Sequence, residues 1–281
     1  MIHQLDFNGH DKVDKAIMRL QAYEPPEGYY LCFSGGKDSV VIKALADMAE
    51  VKYDAHYSVT GIDPPALVKF VKDYHKEVEF DYPYDKDGNR ITMWTLIPKK
   101  LMPPTRMVRY CCQELKERGG EGRFCITGVR WAESVKRKNS RHIAEIHGRG
   151  GIQVYNTDNL EDAPTFKFCQ QHHKRVLNPI VDWTDAEVWE FIKEYEVPYC
   201  DLYDKGYKRL GCVGCPMADN EKELSDYPKF KNLYMIAFQK MLEERKTRGL
   251  VTEWETPEEV MTWWLQKSET EMPETEITAY L

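Results

Sequence analysis

Apolar positions along the chain follow two rhythms that alternate through its first third. Residues 11–23, DKVDKAIMRLQAY, put Val13, Ile17 and Leu20 at helical spacing, and Pro25-Pro26-Glu27-Gly28 ends that pattern. Tyr29–Phe33 is a short aromatic-rich run that predicts a buried strand, and apolar residues resume at helical spacing from Val40 to about Glu50. Val51–Val59 alternates as a second strand, Pro65–His75 reads as a helix, and Glu77–Asp81 as a third short strand. Further on, Met93–Lys100 and Arg109–Lys116 are expected helices, and Arg123–Arg130 is an expected strand. Trp131–Gly151 reads as a basic loop, and Ile152–Tyr155 and Arg175–Leu177 read as small strands. The helix Ala186–Tyr195 carries Val188, Trp189 and Ile192 on one face. Its start has Thr184 as N-cap and Glu187 completing a capping box. Glu221–Arg248 and Pro257–Gln266 are expected helices, followed by a loose acidic tail from Glu269 to Leu281.

Strand–helix–strand–helix–strand order implies an α/β fold: a parallel twisted sheet with helices on both faces, plus a C-terminal helical annex. The expected division is an α/β nucleotide-binding domain over 1–217 and a helical extension over 218–281. The length, 281 residues, suffices for a sizeable core; 42% hydrophobic and 30% charged residues describe a water-soluble globular chain. No apolar run approaches the roughly 18 residues of a membrane span. The first residues, MIHQLDFNGHDKVDK, lack an apolar core, so a cytoplasmic location without membrane partners is expected. A formal net charge of −7 argues against general nucleic-acid binding, while leaving room for a local basic patch.

The chemistry concentrates first in Ser34-Gly35-Gly36-Lys37-Asp38-Ser39, between the first strand and its helix. Glycines permit backbone angles that other residues resist, and a loop opening a helix aims several N–H groups at one spot suited to phosphate. Lys37 adds a mobile positive charge, and Ser34 and Ser39 add hydroxyls. In a parallel sheet ligands sit at the carboxyl ends of strands, where this loop, Thr60-Gly61 and Gly128-Val129-Arg130 all fall. Lys136, Arg137, Lys138 and Arg141 beyond them suit closure over an anion, or simply a solvated loop.

Eight cysteines raise a second question. Cys32 and Cys125 sit in strand-like runs and read as core. Cys212 and Cys215 form a C-x-x-C, and Cys111 and Cys112 supply two more thiols. Zinc sites favour spaced pairs, whereas adjacent cysteines can each reach a different iron of a larger cube. The spacing therefore favours [4Fe–4S] over zinc, with a metal-free reading also open. His172 and His173 beside Cys169 suggest a second metal site or, more plainly, a surface loop.

SGGKDS resembles the PP-loop of the ATP pyrophosphatase superfamily. In order, the chain also carries Thr60-Gly61 with Pro65 and Phe70, Cys111-Cys112 with Lys116, and Thr127-Gly128-Val129-Arg130 with Glu133-Ser134 and Arg137. Asn178-Pro179-Ile180 with Trp183-Thr184 and Val188-Trp189 follows, then Pro198-Tyr199 through Tyr203, Gly206-Tyr207, Arg209, Gly211-Cys212 and Cys215-Pro216. This ordered set, over about residues 28–217, resembles the phosphoadenosine phosphosulfate (PAPS) reductase family. The resemblance implies an adenine nucleotide alpha hydrolase-like fold and an adenosine-nucleotide site at the strand ends. It also implies that Cys111, Cys112, Cys212 and Cys215 are [4Fe–4S] ligands, as in the iron–sulfur branch and the related DNA phosphorothioation enzymes.

Two departures shape the functional expectation. Reductases of the family carry a catalytic cysteine near the C-terminus, whereas no cysteine follows Cys215 in this sequence, and the PP-loop, often degraded in reductases, is intact. The favoured reading is an ATP pyrophosphatase-type enzyme that adenylates an acceptor and couples this to sulfur transfer. Ser34, Gly35, Gly36, Lys37, Asp38, Ser39, Thr60, Gly61, Gly128 and Arg130 would bind ATP or a related nucleotide. Lys37, Asp38, Arg130 and Arg137 would act in catalysis with Mg²⁺. A sulfonucleotide (PAPS or adenylyl-sulfate) reductase using Cys169, Cys200 or a thiol of another chain is the second reading. A non-enzymatic nucleotide sensor with a structural cluster is the third. A sulfur donor or reductant protein, a nucleic-acid or small-molecule acceptor and a homo-oligomer are all compatible with the sequence.

Overall fold

The structure is a computed structural model that describes residues 1–148, 151–155 and 174–267. Two compact units emerge. The first comprises residues 1–58, 66–81 and 119–208, and the second residues 59–65, 82–118 and 209–281.

The first unit is built on one seven-stranded sheet. Its strands are β1 (Tyr29–Cys32), β2 (Tyr53–Ser58), β3 (Glu79–Asp81), β4 (Phe124–Ile126), β5 (Ala144–Gly148), β6 (Gly151–Tyr155) and β7 (Lys174–Leu177), in the order β3-β2-β1-β4-β7-β5-β6. β3, β2, β1, β4 and β7 run parallel; β5 is antiparallel to both β7 and β6. The chain winds outward from β1 to β3 and then returns to lay β4 on the other side of β1. The strand order thus reverses between β1 and β4, and both strands end there in glycine-containing turns. In open α/β sheets that reversal is where a ligand crevice forms.

Helices α1 (Lys12–Tyr23), α2 (Lys37–Met48) and α3 (Pro65–Tyr74) follow the expected positions, although α2 begins three residues earlier than the apolar spacing suggested. Tyr29, Leu31 and Phe33 are buried on one face of β1; the Tyr29 ring packs edge-on against Phe124 at 5.2 Å, and its hydroxyl donates to the Leu20 carbonyl at 2.8 Å. The helix Asp185–Glu194 starts as its sequence implies: Glu187 N–H donates to Thr184 Oγ1 at 3.3 Å, and Thr184 N–H donates to Glu187 Oε2 at 2.7 Å.

Two readings change. The stretch after Arg130 is structured: a 3₁₀ turn Trp131–Glu133, helix α6 (Val135–Ser140) N-capped by Ser134, then strand β5. Ser134 Oγ accepts the Arg137 N–H at 3.1 Å, a local cap that a basic composition conceals. The expected helix Glu221–Arg248 is two helices, Asn220–Asp226 and Pro228–Thr247. Pro228 disfavours the α conformation in the residue before it, and Tyr227 accordingly sits at φ −123°, ψ 68°. Cys169, His172, His173 and the tail Glu269–Leu281 lie outside the described residues.

The second unit is all-helical among its described residues. It contains α4 (Met93–Lys100), α5 (Tyr110–Leu115) and the helices Asn220–Asp226, Pro228–Thr247 and Pro257–Lys267. Leu96, Ile97, Tyr110, Val213, Tyr234, Phe238 and Trp264 form its core. Buried polar atoms are served locally: Trp264 Nε1–H donates to the Pro104 carbonyl at 2.6 Å, and the Tyr110 hydroxyl to the Met102 carbonyl at 2.7 Å. No helix among the described residues is long and apolar enough to cross a membrane.

His3 ties the N-terminal segment down, with Nδ1 2.6 Å from Asp11 and Nε2 2.8 Å from Glu194. The Asp11 hydrogen bond, then that to Glu194, raises its pKa above 6.5. A raised folded-state value stabilises fully below 6.5, and the gain disappears as pH rises through the folded-state value. His3→Ala should therefore melt below the wild type at pH under 6.5, and the difference should shrink as pH rises through the raised folded-state value. Equal melting differences at both ends of a pH series of thermal scans would contradict this.

Candidate functional site

The loop after β1 is shaped by its two glycines. Gly35 adopts φ +72°, and a Cβ there would lie 2.8 Å from both Leu67 Cδ1 and Val71 Cγ2 of α3. Gly36 is the N-cap of α2 and has no side chain to serve the first helix N–H groups, so these turn elsewhere, Ser39 N–H to the Gly36 carbonyl at 3.0 Å. The serines brace the turn: Ser39 Oγ donates to the Gly36 carbonyl at 2.8 Å, while Ser34 Oγ lies 3.3 Å from Ser39 Oγ and accepts the Gly36 N–H at 3.4 Å.

Lys37 is buried. Its backbone N–H donates to the Tyr203 hydroxyl at 2.9 Å, and its ammonium lies 3.7 Å from Asp38, 3.6 Å from Asp185 and 5.9 Å from the Tyr203 ring centre. Tyr203 is packed edge-on against Trp189 at 5.1 Å, and burial pushes its phenol pKa up, so the hydroxyl keeps its proton. An oxygen therefore already occupies the position that the first amide of α2 addresses.

Arg130, at the end of β4, has 1% of its surface exposed. Nε donates to Asp38 Oδ1 at 2.7 Å, Nη1 to the Trp183 carbonyl at 3.2 Å, and Nη2 to Asp185 Oδ1 at 2.5 Å. Burial works to raise the Asp185 pKa, but the Arg130 bond and the Lys37 charge together hold it lowered. With each guanidinium nitrogen engaged, Arg130 positions the loop: it joins the end of β4, the start of α2 and the start of the helix Asp185–Glu194. Gly128 permits this approach, because a Cβ there would lie 2.9 Å from Asp38 Cβ and 3.0 Å from Asp38 C. Arg137, on α6, pairs with Glu133, which also accepts the Arg130 N–H at 2.9 Å.

Asp185 and Tyr203 complete this group, although sequence reasoning gave neither a role. Their signal was weak: Asp185 reads as an ordinary first-turn acid and Tyr203 as one aromatic among several in an irregular loop. Thr60 and Gly61 fall in the second unit. There Thr60 is buried, its hydroxyl donates to Asp63 at 2.7 Å and accepts the Ile62 N–H at 3.2 Å, and Gly61 adopts φ +77°.

The four expected thiols all fall in the second unit. Cys111, Cys112, Cys212 and Cys215 are all half-buried and free of disulfides. Cys112, then burial, raises the Cys111 pKa, with Cys212 and Cys215 adding to the shift. Cys112 itself is held well below the ordinary thiol value, first by Cys111 and then by Arg109, whose Nη2 lies 3.2 Å from its sulfur. Burial raises Cys212 to about 12 against the pull of Lys116. The Cys212 charge raises the Lys116 pKa, and the ammonium hydrogen-bonds the Cys212 sulfur. Gly214 is required in this loop: φ is +74°, and a Cβ would lie 3.1 Å from Tyr234, 3.2 Å from Leu224 and 3.3 Å from Trp264. Glu223 secures the turn by accepting the Gly214 N–H at 2.9 Å. No three of these sulfurs lie within 4.8 Å of one another. A single zinc, with Zn–S near 2.3 Å, would need sulfurs only about 3.8 Å apart.

Residues 28–218 match the phosphoadenosine phosphosulfate reductase domain family. The chain belongs to that family. Among curated relatives, an uncharacterised protein of Methanocaldococcus jannaschii is 27% identical over 77% of this chain and 47% of its own length. A second from the same organism is 25% identical over 79% of this chain and 41% of its own. The chain thus spans less than half the length of these two relatives. The adenosine 5′-phosphosulfate reductases of Pseudomonas aeruginosa (27% identical, 76% of each chain) and Staphylococcus epidermidis (24%, covering 76% of this chain and 81% of that one) also match. Among solved structures, the PAPS reductase of Candida auris aligns with a TM-score of 0.46 at 16% identity, over 74% of this chain and 96% of that chain.

Arg130→Ala would remove the 2.7 Å partner of Asp38 and leave it only Lys37, at 3.7 Å. It is expected to lower the unfolding free energy by about 3–5 kcal/mol in urea titrations. Asp185→Ala, at a side chain that is 67% exposed, should cost no more than about 1 kcal/mol. Equal losses in the two variants would show that Arg130 is not the buried tie described.

Proposed function

We propose that this member of the PAPS reductase family binds ATP in the Ser34–Ser39 loop and splits it between the α and β phosphates, adenylating an acceptor in a reaction coupled to sulfur transfer. The observation that carries this reading is the intact loop whose first helical amide, Lys37 N–H, already addresses an oxygen, that of Tyr203. A phosphate oxygen replacing the hydroxyl would take over that bond and face the positive end of α2.

In this reading the acceptor's nucleophile attacks the α-phosphorus, the α–β bridging bond breaks and pyrophosphate leaves; Mg²⁺ would supply positive charge to the phosphates, with Asp38 the loop residue placed to orient it. Lys37, lodged between Asp38 and Asp185, supplies positive charge where the leaving group becomes more anionic. Asp38 is fixed by Arg130, so the loop does not reorganise as charge develops. Ser34, Ser39 and Gly128 set the loop's shape, and Arg137, paired with Glu133, is the further cation this reading assigns to the charge of the leaving group.

The four thiols fit a metal centre. They lie half-buried in one unit, none is disulfide-bonded, and Arg109 and Lys116 place positive charge beside Cys112 and Cys212. Their spread beyond a single zinc's span favours [4Fe–4S], with zinc as the alternative. Such a cluster supplies, when bound, a site for handling sulfur or electrons.

Sulfonucleotide reduction is the second reading, favoured by the two relatives named adenosine 5′-phosphosulfate reductase. It requires an attacking thiolate. Cys200 is completely buried and burial raises its pKa, which suits it poorly to that role.

Purified protein with ATP and Mg²⁺ should release pyrophosphate in the presence of a competent acceptor, and Lys37→Ala should cut the rate by about a hundredfold or more. Sulfite release from adenylyl sulfate and a dithiol reductant, with no pyrophosphate from ATP across a panel of acceptors, would replace this reading with the reductase. Separately, anaerobically purified protein should be brown and contain about four irons per chain, lost in Cys212→Ser. Stoichiometric zinc in a colourless preparation would assign the thiols to zinc.

A further inference from the structure

One face of the first unit's sheet carries ionisable side chains in place of the apolar residues that usually line parallel strands. The register puts Tyr30 beside Asp54, Cys32 beside His56, His56 beside Glu79, and Ser58 beside Asp81, so all of these project to the same side. At its centre is His56, with 12% of its side chain exposed and its ring stacked on Tyr30 at 4.1 Å.

Both imidazole nitrogens face carboxylates. Nε2 lies 2.5 Å from Asp54 Oδ2; Nδ1 lies 3.1 Å from Asp81 Oδ2 and 4.0 Å from Glu79 Oε2. Asp54 is itself fixed by Arg123 at 2.7 Å, and Asp81 Oδ2 accepts the Tyr30 hydroxyl at 2.6 Å. Each ring nitrogen has a carboxylate acceptor, and a cation bound at Nδ1 would take the place of the proton there while the Nε2 proton stays on Asp54. A histidine whose far N–H is held by a carboxylate while its other nitrogen faces further carboxylates has the arrangement of a metal ligand with its outer shell in place. The His56, Glu79 and Asp81 ligand atoms all lie within 4.8 Å of one another, and no other such group of three occurs among the described residues.

We propose that His56, Glu79 and Asp81 form a binding site for a first-row divalent cation, with Asp54 and Tyr30 orienting two of the ligands. The distances suit it. Two ligands about 2.1 Å from one ion at right angles are about 3.0 Å apart, and His56 Nδ1 and Asp81 Oδ2 are already 3.1 Å apart. Glu79 must close by roughly 1 Å, which its 69% exposed side chain is free to do. One nitrogen and two carboxylates suit Mn²⁺, Fe²⁺ or Zn²⁺, in contrast to the sulfur-rich cysteine site. The exposed side of Glu79 leaves coordination positions open to water or to an oxygen of an anionic ligand. Every group invoked lies in the first unit, and none belongs to the nucleotide loop.

The test titrates the full chain with Mn²⁺ without nucleotide, following free Mn²⁺ by electron paramagnetic resonance. Mn²⁺ is chosen because oxygen and nitrogen ligands hold it while thiolates favour softer ions. One ion per chain should be held. His56→Ala and Glu79→Gln should each weaken its binding at least about tenfold, and Lys37→Ala should leave it unchanged. Glu79→Gln, at an exposed position, decides the matter should His56→Ala fail to fold, as judged by circular dichroism. No ion held below about 1 mM Mn²⁺, or undiminished binding in Glu79→Gln, would overturn the proposal.

Discussion

The buried guanidinium of Arg130 is the tie on which the first unit's ligand-facing end depends. One planar group holds Asp38 at the start of α2, the Trp183 carbonyl, and Asp185 at the start of the following helix. A lysine could not replace it, because a single ammonium cannot hold three partners in different directions. The tie sits beside the point where strand order reverses between β1 and β4, the position at which open α/β sheets generally take their ligands. Gly128 belongs to the same construction, since only a residue without Cβ allows the end of β4 to approach Asp38.

That arrangement explains how a short loop can present backbone amides without collapsing onto them. Gly35 and Gly36 set the turn, Ser34 and Ser39 brace it from within, and Tyr203 covers the Lys37 amide with a hydroxyl. A neutral phenol is a replaceable partner, whereas a carboxylate there would repel phosphate.

The second unit solves a different problem. Its cysteine turn is anchored through Gly214, packed against Tyr234, Leu224 and Trp264, and through the Gly214 N–H bonded to Glu223. The thiols therefore rest on a rigid aromatic core and not on a free loop. Arg109 and Lys116 then offset the charge that thiolates bring.

Much of this was legible in the chain itself. The strand–glycine–helix rhythm of residues 29–48, the capping box at Thr184 and the pairing of Cys111-Cys112 with a distant C-x-x-C are local or patterned signals, and local chemistry enforces them. What the sequence concealed depends on partners far away in it. β5 needs β7 and β6 to exist as a strand, so Ala144–Gly148 read as loop. Arg130 reads as a cation free for substrate until Asp38 and Asp185, 92 and 55 residues distant, are seen to use its nitrogens. His56, Glu79 and Asp81 carry no motif at all, because the spacing that gathers them is strand register across β2 and β3. Sequence determined which segments bend, cap and alternate. Tertiary structure decided which charges meet, because ionic pairing acts between neighbours in space and leaves no periodic trace along the chain.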